Sequence, residues 1–412
     1  MPEFLTLHPP AEALSILLRN LPEPAIQAET IPSMSALGRV TAAPVRSPES
    51  LPAFARSTVD GFAVRARDTF GASDTLPAYL ALAGEVPMGK PAEIVLQRGQ
   101  AAAIHTGGML PEGADAVVML EQTQEARTGE LEVMRAVAVG DNIIQAGEDV
   151  RAGQEVIAQG TCLRAAEIGG LMALGLMEIA VARRPLVGII SSGDEVVSPE
   201  QTPELGQVRD VNSYTLSAFV QAHGAQPVRY GVVPDQAGRL ADVLCQALAE
   251  CDLIVITAGS SASARDLTSS VVNSMAAPGV LVHGVSVRPG KPTILAVCDG
   301  KAVIGLPGNP VSALVIAGLF VAPVIARLLG MRSPRPQPLI HARLAINLAS
   351  QAGREDWIPV KLRHGEAGFE AEPVFFKSNL IFNLAQADGL ARIPADATGR
   401  SAGDSVEVIL LR

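Results

Sequence analysis

The residues best suited to chemistry lie in short loops rich in Gly, Ser and carboxylates. Ile304-Gly305-Leu306-Pro307-Gly308-Asn309-Pro310-Val311-Ser312 reads as a strand end, a tight turn and a helix start. Asn309 suits the N-cap and Pro310 the first helical position, where its missing N–H costs nothing. The free amides of that first turn can then hold an anion. Taken alone, an ordinary strand-to-helix turn would look the same. Two further loops weigh toward a ligand. Ser191-Ser192-Gly193-Asp194-Glu195 offers hydroxyls, a flexible Gly and two acids, and the stretch from Thr257 through Gly259 and Ser260 to Asp266 is built of small residues before an acid. Three such loops on one sheet edge suit a phosphorylated or otherwise polyanionic ligand.

Arg288 and Lys291 share a turn stiffened by Pro289 and Pro292, which pre-positions two cations for a small dianion, although a solvated turn is the plainer alternative. Asp60 and Thr106 occupy polar turns earlier in the chain, where Asp60-Gly61 is first of all a turn signal. Asp60, Asp149, Glu195, Asp235 and Asp266 all stand in loops from which a hard ion such as Mg²⁺ could bridge to phosphate oxygens. The six histidines are scattered without metal-ligand spacing.

These loops need elements to hold them. From Arg183 onward, apolar runs of strand length alternate with helical segments: strands at 185–190, 227–233, 252–258, 280–287, 293–297 and 302–306, and helices at 212–223, 236–250 and 310–329. This predicts a mostly parallel, doubly wound α/β domain at 181–331, with Asn212 capping the first of its helices and the ligand at the carboxyl ends of the strands. Residues 47–140 read as a β-rich insertion, with strands in FAVRA, AEIVL, DAVVML and LEVMRAVAV. The spacing predicts helices at 9–21 and 164–176 that pack together, making 1–46 and 141–180 one discontinuous helical and linker domain. Residues 332–412 read as a C-terminal β-domain. The fold class is thus a multidomain α/β protein.

A chain of 412 residues with 48% hydrophobic and 18% charged residues should fold throughout. A net charge of −10 argues against nucleic acid as a partner, and any anionic substrate must be captured by local donors. Four cysteines without a CxxC pair suit a reducing cytosol. The uncharged stretch 311–326 is shorter than the ~20 residues of a membrane-spanning helix and reads as a buried helix.

FARSTVDGFAVR, IHTGGMLPEGADAVVMLEQ, AGEDV, PLVGIISSGDEVV, GQVRDVNSYTL, VRPGKP and GLPGNPVSAL occur in this order. Together they resemble the molybdopterin molybdenumtransferase family over essentially the whole chain. The resemblance implies four domains, the α/β one binding molybdopterin, and an elongated homodimer in which the Asp60 and Asp266 segments meet across subunits. It implies a reaction in which adenylylated molybdopterin and molybdate give molybdenum cofactor and AMP with Mg²⁺ assisting, in the cytoplasm. Partners would include molybdopterin adenylyltransferase and molybdoenzymes or their chaperones.

By the same resemblance Asp60, Thr106, Glu195 and Asp266 would be catalytic, and Asp60, Glu195, Asp235 and Asp266 would hold the metal. Ser192, Gly193, Asp194, Asn212, Gly259, Ser260, Gly308, Asn309 and Pro310 would bind the pterin adenylate. Arg288 and Lys291 match basic positions near molybdate, with Ser312, Arg354 and Ser378 as further oxyanion contacts. One loop departs from the family pattern of Gly-Gly-Val-Ser-Val-Gly before an acid: here Gly259 to Ala264 reads Gly-Ser-Ser-Ala-Ser-Ala, with Asp266 kept. Any φ > 0 needed at Ser260 or Ala264 would be strained. A non-catalytic molybdopterin-binding scaffold is the alternative reading. A nucleotide pyrophosphatase or deamidase is a third, disfavoured by the insertion that carries Asp60.

Overall fold

Apolar runs of five to eight residues, too short for helices, become the buried strands of an α/β sheet. The computed structural model describes residues 6–258, 262–332, 338–365, 368–374 and 379–411, the side chains of 258 and 262–266 excepted. The strands of this sheet are numbered here β1 (Leu186–Ser192), β2 (Gln226–Val233), β3 (Leu253–Ala258), β4 (Pro278–His283), β5 (Ile294–Cys298) and β6 (Lys301–Pro307). Their order is β2-β1-β3-β6-β5-β4, parallel as far as β6 and antiparallel from there to β4. The direction reverses at Asp299-Gly300, where both residues have positive φ (49° and 74°), as a two-residue hairpin twisted to match its strands requires.

Alternate residues of the strands face opposite layers. Val187, Val255 and Ile304 pack with Leu17, Leu216 and Phe320 of helices Pro10–Asn20, Asn212–Ala222 and the segment Pro310–Leu328. Ile190, Ile256 and Val303 pack with Leu240, Leu244 and Val272 of helices Ala237–Glu250 and Ala262–Met275. The first helix therefore buries Ala13 and Leu17 in the α/β core, a different partner from the expected residues 164–176. The long helix is not uniform. It runs as Pro310–Ile316, a π-turn at Ala317–Val321, and Ala322–Leu328. Pro323 has no N–H to offer the preceding turn, which explains the break. By length and composition Pro310–Leu328 could cross a membrane, yet more than half of its most apolar window is buried against the protein.

The same compact unit contains the C-terminal strands. Glu355–Gly365 pairs with both Gly368–Pro373 and Gly389–Ile393, and Leu339–Leu344 and Ser405–Leu410 complete the circuit, so five strands close into a barrel filled by Ala342, Val360, Ala371, Ala391 and Val408. The two residues Val287–Arg288 add to it as a sixth strand, parallel to Glu355–Asp356. The expected strand 280–287 thus splits between two sheets.

Residues 43–158 with 165–177 form the other compact unit. Its six-stranded sheet runs in the order Ala116–Met119, Gly61–Val64, Gln100–Ile104, Ala78–Glu85, Glu130–Val133, Thr123–Arg127. Two expectations fail here. AEIVL forms no strand, and its Val95 makes only an isolated bridge to Glu112. In LEVMRAVAV the strand ends at Val133, beyond which Val137 turns inward and its N–H donates to Thr69 Oγ1.

Candidate active site

In the β-rich unit three neighbouring strand ends bring Asp60, Glu85 and His105 to one edge. Gly61 is fixed by sterics, because a Cβ there would overlap the Val118 carbonyl. The Asp60 carboxylate accepts two hydrogen bonds from Thr106, from its N–H (2.8 Å) and its hydroxyl (3.2 Å). These donors, with the His105 ring Nδ1 at 3.7 Å, hold the exposed Asp60 carboxyl below the usual carboxylate range. His105 Nε2 lies 3.0 Å from Glu85 Oε1. Gly107 N–H donates to the Ser57 carbonyl, which ties the Thr106 turn to the Asp60 turn.

At the carboxyl edge of the α/β sheet the loops after β1 and β2 are tied together. Ser192 Oγ donates to Asp235 Oδ1 (2.6 Å), and Asp235 N–H to Asp194 Oδ1 (3.1 Å). Glu195 is exposed beside them. Below, Ser191 Oγ joins a buried network with Asp210, Ser213 and Thr257 at 2.8 to 3.2 Å. Asn212 is the first residue of its helix and not its N-cap. Asp210 does the capping, accepting from Ser213 N–H at 3.0 Å. Asn212 Nδ2 instead donates to the Gly308 carbonyl (2.8 Å), joining this helix to the turn after β6, and its buried Oδ1 has no partner among the described residues. Asn309 and Pro310 take the cap and first-turn positions expected of them, without a side-chain cap bond from Asn309. Ser312, in the first turn of this helix, is buried at 3% exposed.

The cation turn is closed by Val285 N–H donating to the Lys291 carbonyl (2.9 Å). Lys291 is exposed and Arg288 largely so. Arg288 reaches Asp356 (3.7 Å), to which Arg354 is also bonded, so the structure brings together Arg288 and Arg354 from segments far apart in sequence. Gly259, Ser260 and Ser378 lie outside the described residues, as does the Asp266 side chain, whose backbone belongs to helix Ala262–Met275. Among the described residues no three His, Cys, Asp or Glu side chains gather to hold a metal. The two buried thiols, Cys251 and Cys298, are pushed up by desolvation, which rules them out as ready nucleophiles.

Four residues escaped sequence reading: Glu85, His105, Asp210 and Asp356. Asp210 had a signal, since Asp is among the residues favoured for capping a helix start. His105 adjoins Thr106 in the quoted motif. Glu85 meets His105, and Asp356 meets Arg288, only through strand register.

The chain is thus a multidomain α/β protein with hydroxyl and carboxylate loops at one sheet edge and a cation turn joined to a barrel. Residues 8–175 match the MoeA N-terminal region (domains I and II), 188–327 a probable molybdopterin binding domain, and 341–411 the MoeA C-terminal region (domain IV). The molybdopterin molybdenumtransferase of Nostoc sp. is 33% identical over 93% of this chain and 88% of its own length, and molybdopterin molybdenumtransferase 2 of Mycobacterium tuberculosis is 34% identical over 92% and 94%. A crystal structure of the molybdopterin biosynthesis moeA protein from Pyrococcus horikoshii superposes with a TM-score of 0.86 at 31% identity, covering 98% of this chain and 100% of that one. The chain belongs to the molybdopterin molybdenumtransferase family, and is a transferase of molybdenum cofactor biosynthesis.

Proposed function

We propose that the chain inserts molybdenum from molybdate into adenylylated molybdopterin, giving molybdenum cofactor and AMP. The observation that carries this reading is that the family match runs through all three segments while Asp60, Thr106, Glu195, Asp266 and Lys291 are all present. A retired scaffold has no reason to keep that set. The loops at 191–195 and 307–310 bind the pterin adenylate, with Ser192, Gly193, Asp194, Asn212, Gly308, Asn309 and Pro310 as its contacts. Asn212 Oδ1, buried and without a partner among the described residues, is an acceptor that a ligand donor entering this turn would satisfy. Arg288, Lys291 and Arg354 take molybdate, whose approach is opposed by the overall charge of −10 and must be rewarded locally.

A bound Mg²⁺ would supply neutralisation of phosphate charge. Such an ion binds through one or two carboxylates plus substrate oxygens more often than in an all-protein cage. Asp235, with one oxygen outside the Ser192 bond, and the exposed Glu195 are the described residues that would hold it. Asp60, oriented by the two hydrogen bonds that it accepts from Thr106, takes a catalytic role. The protein works as a cytoplasmic homodimer, receiving substrate from an adenylyltransferase and passing product to molybdoenzymes or their chaperones. The test is to mix the protein with adenylylated molybdopterin, Mg²⁺ and molybdate and follow AMP. Release at catalytic rates is expected, and stoichiometric binding without AMP would leave the non-catalytic scaffold.

A further inference from the structure

We propose that Asp356 is the positioning residue of the oxyanion receptor. The proposal rests on the assignment of Arg288, Lys291 and Arg354 to molybdate, and adds a residue that touches no substrate. Asp356 is 1% exposed, yet it is a carboxylate. Arg354 grips it with two nitrogens, Nε to Oδ1 at 2.7 Å and Nη2 to Oδ2 at 3.2 Å. Ser350 Oγ donates to Oδ2 at 3.0 Å, and Arg288 Nη1 lies 3.7 Å from the same oxygen. A buried carboxylate survives only with such pairing.

The arrangement does more than neutralise a charge. A two-point contact fixes the plane of the Arg354 guanidinium, which a single contact would leave free to swing. That leaves Nη1, whose nearest partner is Gln351 at a long 3.5 Å, available to a ligand. Arg288 is brought to the same carboxylate by the parallel pairing of Val287–Arg288 with Glu355–Asp356, while its side chain stays 63% exposed. Lys291 stands three residues further along the same closed turn. Two cations, Arg354 and Arg288, thus meet on one carboxylate, and Lys291 belongs to the turn that carries Arg288. Asp356 sets where these two donors stand.

Two explanations of the site give opposite signs for Asp356→Asn. If charge alone governed capture, the variant would bind molybdate more tightly, because the site becomes more positive. If Asp356 positions the cations, binding weakens despite the added charge. The expected result is a rise of roughly ten- to a hundredfold in half-saturating molybdate, read both from AMP release and from calorimetric titration with sodium molybdate, while half-saturating pterin adenylate stays within about twofold. Ser350→Ala, which removes one donor and leaves the charge in place, should weaken molybdate roughly threefold and decides the matter if Asp356→Asn does not fold. Unchanged or tighter molybdate binding in the folded Asp356→Asn protein, or unchanged binding in Ser350→Ala where only that variant folds, overturns the proposal. Arg354→Met and Lys291→Met separate it from the assignment beneath it. If neither alters molybdate dependence, the receptor itself is misplaced, whereas if both do and Asp356→Asn does not, only the role of Asp356 falls.

Discussion

Replacing Gly290 by Ala probes how the cation turn is seated. Gly290 has φ 119°, a conformation L-residues avoid, and a Cβ there would meet Cδ1 and Cγ1 of Ile316 well inside van der Waals contact. The backbone strain is about 1–3 kcal/mol and the overpacking about 1–3 kcal/mol, so Gly290→Ala should destabilise this unit by about 2–6 kcal/mol. For a unit of this size that corresponds to a fall in Tm of roughly 5–20 °C. Denaturation is read by the fluorescence of Trp357, the single tryptophan, which lies in the barrel strand beside Asp356. Because the turn must lift off helix Pro310–Ile316 to make room, half-saturating molybdate should rise as well. Ile316→Ala removes both overlapping atoms, so in the Gly290→Ala background it should be about 1–3 kcal/mol less damaging than in the parent. Additivity within about 0.5 kcal/mol, or a Gly290→Ala protein as stable as the parent, would refute the steric account.

Thr106→Val removes one of the two Thr106 donors to Asp60 and should move its carboxyl part of the way back up toward the ordinary range in a ¹³C NMR titration. The sign follows from a lowered value in the folded protein: the stabilisation is present above the ordinary carboxylate range and is lost as pH falls through the lowered value, and the variant should lose it at higher pH. Asp210→Ala strands the Ser191 and Ser213 donors and uncaps helix Asn212–Ala222, and should lower stability by about 2–4 kcal/mol in chemical denaturation followed at Trp357. Lys291→Met should raise half-saturating molybdate roughly ten- to a hundredfold with little change for the pterin adenylate. Weakened pterin binding with unaltered molybdate dependence would move Lys291 to the phosphate site.

What could be read from sequence was whatever local chemistry decides. Apolar runs located β1, β3 and β6, and Pro310 placed the start of the long helix, because each depends on near neighbours. What could not be read depends on partners distant in the chain. Asp356 looks like one more acid beside Glu355 until barrel register sets it next to Arg288, a separation of 68 residues. Likewise His105 gains meaning only when Glu85 and Asp60 arrive on adjoining strands. AEIVL misled for the converse reason: its composition suits a strand, but it secures only a single bridge, to Glu112. Asp299-Gly300, by contrast, is a local hairpin signal between two apolar runs.

The short pairing of Val287–Arg288 with Glu355–Asp356 constrains how such chains can be recombined. The cation turn is half of a hydrogen-bond ladder whose other half arrives with the C-terminal barrel, and Glu355 N–H donates to the Ser286 carbonyl across the join. A chimera cut between residues 332 and 338 would separate the two halves at a point that looks like an innocuous linker. Exchanges that respect the binding chemistry must move residues 285–291 and 350–357 together, so the natural unit of inheritance for this site is a pair of distant segments and not a domain.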